Sequence, residues 1–470
     1  MKKKEDMKIL LLNPPGMNFS VFPPLGIAIL KSYCTSIFPD LEIKLIDLNE
    51  IYNNVILENL NISYENSTNK KNNENFENVV NAYRTIKEKR EDTTFWNENK
   101  DKVISLPQKI FTYIKAYTAK YRLEDFVPQS EILNLAQVVL KENPSFLGFS
   151  IFTSSQYPFA MALAKYLKQQ IDIPIVIGGA SVEYIRRNQK KKYQELGLYD
   201  NLILGEGEIP FVEIIRLLKL RGTKNKHSKR TNEIDNSEII YNLDDLPFPD
   251  YSDVNFSDYL NPNIAIAIWG SRGCAWGRCA YCTLYKCSSH RVRNTKNIVD
   301  EISHHNYLYG INTFYFVDAF LPPQRLRALS EEIIRRNIDI RFSFFARPIK
   351  AYSFELLNLA YKAGARRVRW GVESGSQHVI DLMEKGTRVE HFEEVLKWSY
   401  EAGLHNTVYI LIGFPGETDD DFQQTIRWVE KAYDYIHLGK PSLFTLMKGS
   451  GVYNNPQKYG IRKLPTVLFK

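Results

Sequence analysis

The sequence predicts an α/β protein of two units. Residues 1–221 read as a doubly wound parallel sheet, residues 222–260 as linker and connector, and residues 261–470 as a partial (β/α)6 barrel of TIM type. Three observations carry this. Short apolar runs alternate with stretches of helical period, the signature of βα units. In the first half the apolar runs end in turns rich in glycine and proline, and in the second half they end in single polar residues. Hydrophobic residues make up 44% of the chain and charged residues 24%, enough apolar material for a sizeable core.

In the first unit, Lys8–Asn13 is an apolar run closed by Pro14-Pro15-Gly16, a strand followed by a turn. Pro24–Phe38 has helical spacing, and Leu41–Leu48 alternates as a strand does. Phe146–Phe152 is a buried strand, with a helix over Tyr157–Gln169. Ile173–Ile177 is a further strand ended by Gly178-Gly179-Ala180. Leu202–Leu204 ends in Gly205-Glu206-Gly207-Glu208, with a helix over Pro210–Leu220. Ligands of such sheets sit beyond the carboxyl ends of the strands. Those ends carry Asn13, Ser150, Thr153, Ser154, Gly178, Gly179, Gly205 and Glu206. Small residues there would let a flat ligand approach the backbone.

The alternation breaks at residues 51–129, where Asn, Glu and Lys dominate 59–101, so an insertion of partly helical or mobile character is expected. Gly222–Ser237 is polar and reads as a linker, and Leu243–Leu260 as a proline-punctuated connector.

From Ile264 the strand–helix repeat resumes. Strands are expected at Ile264–Trp269, Thr313–Val317, Asp339–Phe345, Arg367–Val372, Thr407–Ile412 and Tyr435–Leu446. Helices are expected at Pro323–Arg336, Phe354–Ala363, Val389–Ala402 and Asp420–Ala432. Six strands are too few for a closed eight-fold barrel, so an open one is predicted. Its strands end at Asp318, Arg347, Glu373, Ser374 and the Gly413 loop, and such ends converge on one rim. Ser374 and Thr418 also fit ordinary helix caps.

The first of these strands leads into Gly270–Cys282, which holds Cys274, Cys279 and Cys282 within nine positions. Three soft thiolates on one short loop suit zinc or an iron–sulfur cluster. A structural zinc would need a fourth ligand, for which Cys287 and His290 are candidates. With five cysteines in all, a disulfide framework is excluded. The net charge of +7 is mild for 470 residues and gathers in runs such as Lys190–Lys192 and Lys224–Arg230, so no nucleic-acid partner is expected. No apolar run reaches the length of about 18 residues that a membrane span needs, and Met1–Asp6 leads straight into a strand. A reducing cytoplasm is expected, with no membrane association.

The cysteine loop resembles the cluster-binding loop of the radical S-adenosylmethionine (SAM) superfamily, where the common spacing is Cys-x3-Cys-x2-Cys with an aromatic before the last cysteine. Tyr281 matches that aromatic, and the four-residue first gap reads as an insertion around Trp276-Gly277. Gly371–Gln377 and Ile412–Thr418 look like the SAM-contacting strand ends of the same superfamily. The resemblance implies a 4Fe–4S cluster on Cys274, Cys279 and Cys282. It implies SAM held with Asp318 near its amine, Glu373 and Ser374 near its ribose and amino-acid part, and Ile412, Gly413, Phe414 and Tyr281 near adenine, with Arg347 on the same rim. It further implies reductive cleavage to a 5′-deoxyadenosyl radical, an electron donor such as flavodoxin or ferredoxin, and a small-molecule or peptide substrate. The first half resembles the cobalamin-binding domain fused to many radical SAM enzymes, on Lys8–Pro15, Leu147–Thr153, Ile175–Gly179 and Leu204–Glu208. By that resemblance Asn13, Ser150, Thr153, Ser154, Gly178, Gly179, Gly205 and Glu206 contact cobalamin. The Asp-x-His-x-x-Gly signature is missing, and no histidine precedes His227.

Cobalamin-dependent methyl transfer to an unactivated carbon is therefore expected, and the alternative is a radical SAM cyclase or rearranging enzyme. A methylthiotransferase would need a second set of three cysteines, and only Cys34 and Cys287 remain. A zinc-stabilised nucleic-acid module fits neither the mild charge nor the buried strands.

Overall fold

The computed structural model describes residues 7–16, 22–65, 74–99, 101–118, 130–182, 193–221, 232–235, 238–261, 264–284, 289–439 and 441–462. The chain divides into two compact units, 1–240 with 245–264, and 241–244 with 265–470.

The first unit is built on a parallel sheet of strands β1 (Lys8–Asn13), β2 (Glu42–Asp47), β3 (Phe146–Ser150), β4 (Ile175–Gly178), β5 (Asn201–Leu204) and β6 (Asn232–Asp235). Their order is β2-β1-β3-β4-β5-β6. In β1, Ile9 to Leu12 are all buried, as a parallel strand covered on both faces requires. The order reverses direction between β1 and β3, the switch point at which open α/β sheets bind ligands. Leu10, Leu12, Phe149 and Ile177 pack under the helix Tyr157–Gln170, whose Phe159, Leu163 and Leu167 are buried.

Two expectations are sharpened here. Of residues 51–129, expected to be partly helical or mobile, the described ones are mostly helical: helices Leu48–Glu65, Glu74–Glu88, Thr93–Glu98 and Lys102–Thr118 share a core of Leu57, Val80, Tyr83, Trp96 and Ile110. Its polar rim is satisfied too, with the Tyr83 hydroxyl on Glu58 at 2.6 Å and the Trp96 indole on the Lys89 carbonyl at 2.6 Å. Within the run read as a linker, residues 232–235 form β6, in register with Asn201–Leu204 of β5. The connector is strapped down as well: Lys31 reaches Asp250 at 3.0 Å and Asp253 at 2.6 Å, and the Tyr259 hydroxyl donates to Asp47 at 2.7 Å.

In the second unit, strands β7 (Ile266–Ile268), β10 (Thr313–Phe316), β11 (Arg341–Ala346), β12 (Ala365–Glu373), β13 (His405–Ile412) and β14 (His437–Leu438) form a parallel sheet in the order β14-β13-β12-β11-β10-β7. β15 (Ser442–Leu443) adds beside the end of β13, so the single last strand expected over 435–446 is two short ones. β8 (Ser271–Arg272) and β9 (Arg291–Val292) make an antiparallel ribbon flanking the cysteine loop. Side chains alternate along the sheet. Phe314, Phe316, Phe342, Phe344, Val368, Trp370, Val372 and Val408 are buried on one face, while Tyr315, Ser343, Phe345, Arg367, Arg369, His405 and Tyr409 are only partly covered on the other. The first set lies under the helices; the second lines the inner face of the open barrel.

Candidate active site

The cysteine loop is set in place from its root. Asp318, just past β10 and buried, accepts from Gly270 N at 2.9 Å and from Ser271 Oγ at 2.5 Å. Burial pushes its carboxyl up, and the hydrogen bonds from Ser271 and Gly270 oppose that. Both oxygens are thus engaged by the chain that leads to Cys274. Gly270 is required there, since a Cβ would lie 2.9 Å from Asp318 Oδ1.

The far side of the loop rests on one turn. Three successive carbonyls accept from it or from its neighbour: Met383 O from Ala280 N at 2.9 Å, Glu384 O from Trp276 Nε1 at 3.0 Å, and Lys385 O from Arg347 Nη2. Trp276, part of the extra length in the loop, is therefore a plug. The Arg347 guanidinium lies 4.1 Å over its ring and Arg278 5.2 Å. Gly386, at φ +64°, lies so close to the ring that a Cβ would collide with it. The insertion lengthens the loop without loosening it.

Lys385 also supplies the site's central cation. Its ammonium is 3.0 Å from Glu373 Oε1 and 3.3 Å from the Tyr281 hydroxyl. Burial and the neighbouring Glu373 carboxylate hold the Tyr281 phenol well above its usual range. Glu373 ends β12 after a bulge and adopts φ +69°. A non-glycine residue in that region is strained, and such strain gathers at functional sites.

The three cysteines lie on this one loop, each partly buried. Burial raises the thiols of Cys279 and Cys282, while the Lys385 charge favours both thiolates and Arg347 also favours that of Cys279. Cys279 feels both Cys274 and Cys282, so the sulfurs share one neighbourhood. Among the described residues no three His, Cys, Asp or Glu side chains gather tightly enough to grip a single metal ion. Four sulfurs around one zinc would stand about 3.8 Å apart, whereas a cube of iron spreads its ligands more widely. An anionic cluster suits the two buried cations, and Arg347 Nε, buried without a partner, is a donor in waiting. Of the candidate fourth ligands for zinc, His290 is exposed and Cys287 lies outside the described residues.

The remaining rim residues divide. Ser374 is fully buried, shares a 2.9 Å hydrogen bond with Thr425 Oγ1 and accepts from Ser376 N, so its hydroxyl serves the packing of helix Asp419–Ala432. Nor does it cap a helix; Ser376 caps Gln377–Leu382, and Thr418 caps Asp419–Ala432 as expected. The Phe414 ring is 1% exposed and packs on Phe444 and Tyr459, not toward the mouth. Ile412 O accepts from Phe444 N at 2.8 Å. Gly413, at φ +77°, has open space at its Cβ position, while its amide donates to Glu417 Oε2. Lys385 escaped the sequence reading because Met383–Thr387 looks like a solvated helix end.

In the first unit the predicted ligand edge is continuous, because β1, β3, β4 and β5 are neighbours and Ser150 pairs with Gly178. Gln156 organises it. Its amide donates to Asn13 Oδ1 at 2.9 Å and Pro14 O at 2.7 Å, and accepts from Phe152 N at 2.8 Å and Thr153 N at 3.0 Å. Asn13 donates onward to Asp47 at 2.8 Å. The glycines play two roles. Gly16 and Gly179 let loops meet, since a Cβ would stand 2.5 Å from Ser155 O or Ile151 O respectively. Gly205 has open space and is exposed, with the part-buried Glu206 next to it. Ser154 is exposed, Thr153 is bonded to Ser155 Oγ at 2.9 Å, and Phe152 is 61% exposed on the same edge.

The second unit is thus an open six-stranded barrel with three cysteines beyond its first strand, and the first a doubly wound sheet open at its switch point. Residues 270–429, within the second unit, match the family model of the Radical SAM superfamily. Among curated relatives, an uncharacterized methyltransferase of Pyrococcus horikoshii is 25% identical over 311 residues, covering 63% of this chain and 66% of the relative. The anaerobic magnesium-protoporphyrin IX monomethyl ester cyclase of Cereibacter sphaeroides is 23% identical over 312 residues, covering 62% and 50%. The chain thus spans half to two thirds of the length of these relatives. The radical SAM methyltransferase TsrM of Kitasatospora setae, solved with cobalamin and a [4Fe-4S] cluster, shares the fold at a TM-score of 0.61 and 17% identity, covering 98% of this chain and 76% of that one. No helix among the described residues is long and apolar enough to cross a membrane.

Proposed function

We propose that the chain is a cobalamin-dependent radical SAM methyltransferase acting on an unactivated carbon of a small molecule, with flavodoxin or ferredoxin as electron donor in a reducing cytoplasm. The carrying observation is the pairing, in one chain, of a three-cysteine loop braced by buried cations with a doubly wound sheet whose ligand edge is open. The similarity to a methyltransferase and the fold shared with a cobalamin-bound one support it. Cys274, Cys279 and Cys282 would hold a 4Fe–4S cluster. Tyr281, Glu373, Lys385 and the Ile412-Gly413 backbone would hold SAM. Asn13, Ser150, Thr153, Ser154, Gly178, Gly205 and Glu206 would hold cobalamin.

When bound, these groups supply one-electron cleavage of the SAM sulfonium and methyl transfer. The protein's part is to bind, orient and exclude water. Lys385 and Arg347 offset the negative charge of the thiolates in a buried setting where charge is felt strongly. Lys385 also fixes Glu373 in its strained conformation. Asp318 and the Met383 and Glu384 carbonyls hold the cysteine loop from two sides and act by positioning. No histidine precedes His227, so cobalamin would sit on the sheet edge without a histidine ligand from residues 1–226.

A second reading, ring formation or rearrangement without methyl transfer, draws on the similarity to a cyclase over 62% of the chain. Anaerobic incubation with SAM, dithionite and hydroxocobalamin separates the two. 5′-Deoxyadenosine together with S-adenosylhomocysteine supports methyl transfer, 5′-deoxyadenosine alone supports the second reading, and neither product overturns both.

A further inference from the structure

We propose that the substrate is a small organic anion whose oxyanion is held on the inner face of the barrel by Arg367 and Arg369. This rests on the radical SAM reading only for taking the ligand as substrate.

The two arginines lie two residues apart on one face of the central strand β12, so their stems rise side by side, about 7 Å apart. The ladder sets their neighbours: Ser343 and His405 flank Arg367, and Phe345 and Thr407 flank Arg369. Arg369 donates to Ser343 Oγ at 2.8 Å, and its guanidinium lies 4.4 Å over the Tyr315 ring and 5.8 Å from the Phe345 ring. It is held flat, with the rest of its fork unspent. Among the described residues no carboxylate pairs with either arginine, and the influences on Arg367 are burial, the Arg369 charge and Tyr409. His405 brings no negative charge. Burial and then Arg367 push it down to about 4, so it is neutral at neutral pH. Its stacking partner His437 stands 3.7 Å away, and the acid at the top of the same face, Glu373, is already paired with Lys385.

Other arginines of the unit do meet acids, Arg293 with Glu301 and Arg336 with Asp300 and Glu332. Two half-buried guanidiniums with no counter-ion repel each other and forgo hydration. A planar carboxylate, phosphate or phosphonate reverses both penalties, because the guanidinium fork binds such groups bidentately. Tyr315, Phe345 and Tyr409 form an aromatic run on the same face, with centroids 5.9 Å and 6.2 Å apart. Arg369 precedes Glu373 by four residues, about 13 Å along the strand. A molecule anchored at Arg369 therefore has room for a sugar- or ring-sized body against the aromatics before its reacting carbon reaches the rim.

The test uses reconstituted full-length protein, with inorganic pyrophosphate and succinate as probes, titrated by calorimetry and by thermal midpoint. Wild type is expected to bind at least one of them and to melt higher. Arg369→Leu and Arg367→Leu should each weaken binding tenfold or more, Arg369→Lys should retain part of it, and the exposed Lys397→Met should bind as wild type does. The lysine variant and midpoints taken without anion separate lost binding from lost folding. Binding of neither probe, or equal binding by the leucine variants, overturns the inference. Wild-type 5′-deoxyadenosine formation is assayed in parallel: its presence without anion binding sinks this inference alone, and its absence sinks the radical SAM reading.

Discussion

At Trp276 one side chain decides whether a longer cysteine loop is a defect or a device. Its ring meets Arg347 and Gly386, and its indole donates to Glu384 O. Gly386→Ala puts a methyl into that ring at a backbone angle that disfavours any side chain. It should cost about 1–3 kcal/mol and lower the iron retained after anaerobic reconstitution, read by iron assay. Adding Trp276→Ala should restore part of the stability, because the clash is gone, a coupling that a double-mutant cycle measures. Cys279→Ala should take iron from about four per chain to near zero; substantial zinc in place of iron would refute the cluster. Legibility at this scale followed local pattern. The cysteines, Tyr281 and Glu373 stand in runs that announce themselves. Lys385 and Arg347 meet the thiolates only through tertiary packing. Arg367 and Arg369 did leave a trace, charges at period two in a strand whose neighbours are apolar. Ser374 and Phe414 sit within motif-like runs, yet the fold turns their side chains into the packing of neighbouring elements.

Strand β13 carries one pH-dependent group. His405 begins β13, and burial together with Arg367 and His437 places its folded pKa at about 4, below the ordinary value of about 6.5. The unfolded chain takes up this proton first as pH falls. Stability contributed here is therefore whole above about pH 6.5 and lost progressively down to about pH 4. Urea midpoints at pH 7 and pH 4.5 should fall further for wild type than for His405→Gln. Equal falls would show that His405 is not the titrating group. Most elements were readable from period and punctuation, because buried parallel strands are short apolar runs and their helices are amphipathic. β6 was not: Asn232-Glu-Ile-Asp235 offers one apolar residue, and its pairing with β5 comes from the sheet edge. The last barrel strand reads as one run, yet its two halves pair with different stretches of β13.

Across the molecule, the described helices between residues 48 and 118 add a small core of their own to those of the two sheets. Their polar composition suggested little order, but a few large side chains at helical spacing suffice for a small core. Trp96→Ala should cost about 3–5 kcal/mol and open new proteolytic cuts within 74–118; an unchanged urea midpoint would mean that these helices do not share a cooperative core. Composition gave no warning of this, because the apolar anchors are spread thinly among Asn, Glu and Lys.

The second sheet narrows toward its margins. β12 and β13 run nine and eight residues, while the outermost strands β7 and β14 run three and two. Backbone amides at those margins have few ladder partners, so deuterium will enter there first and reach β12 last. The strand that bears Arg367, Arg369 and Glu373 is thus the slowest to breathe. An anion gripped there would rest on the part of the sheet expected to open least.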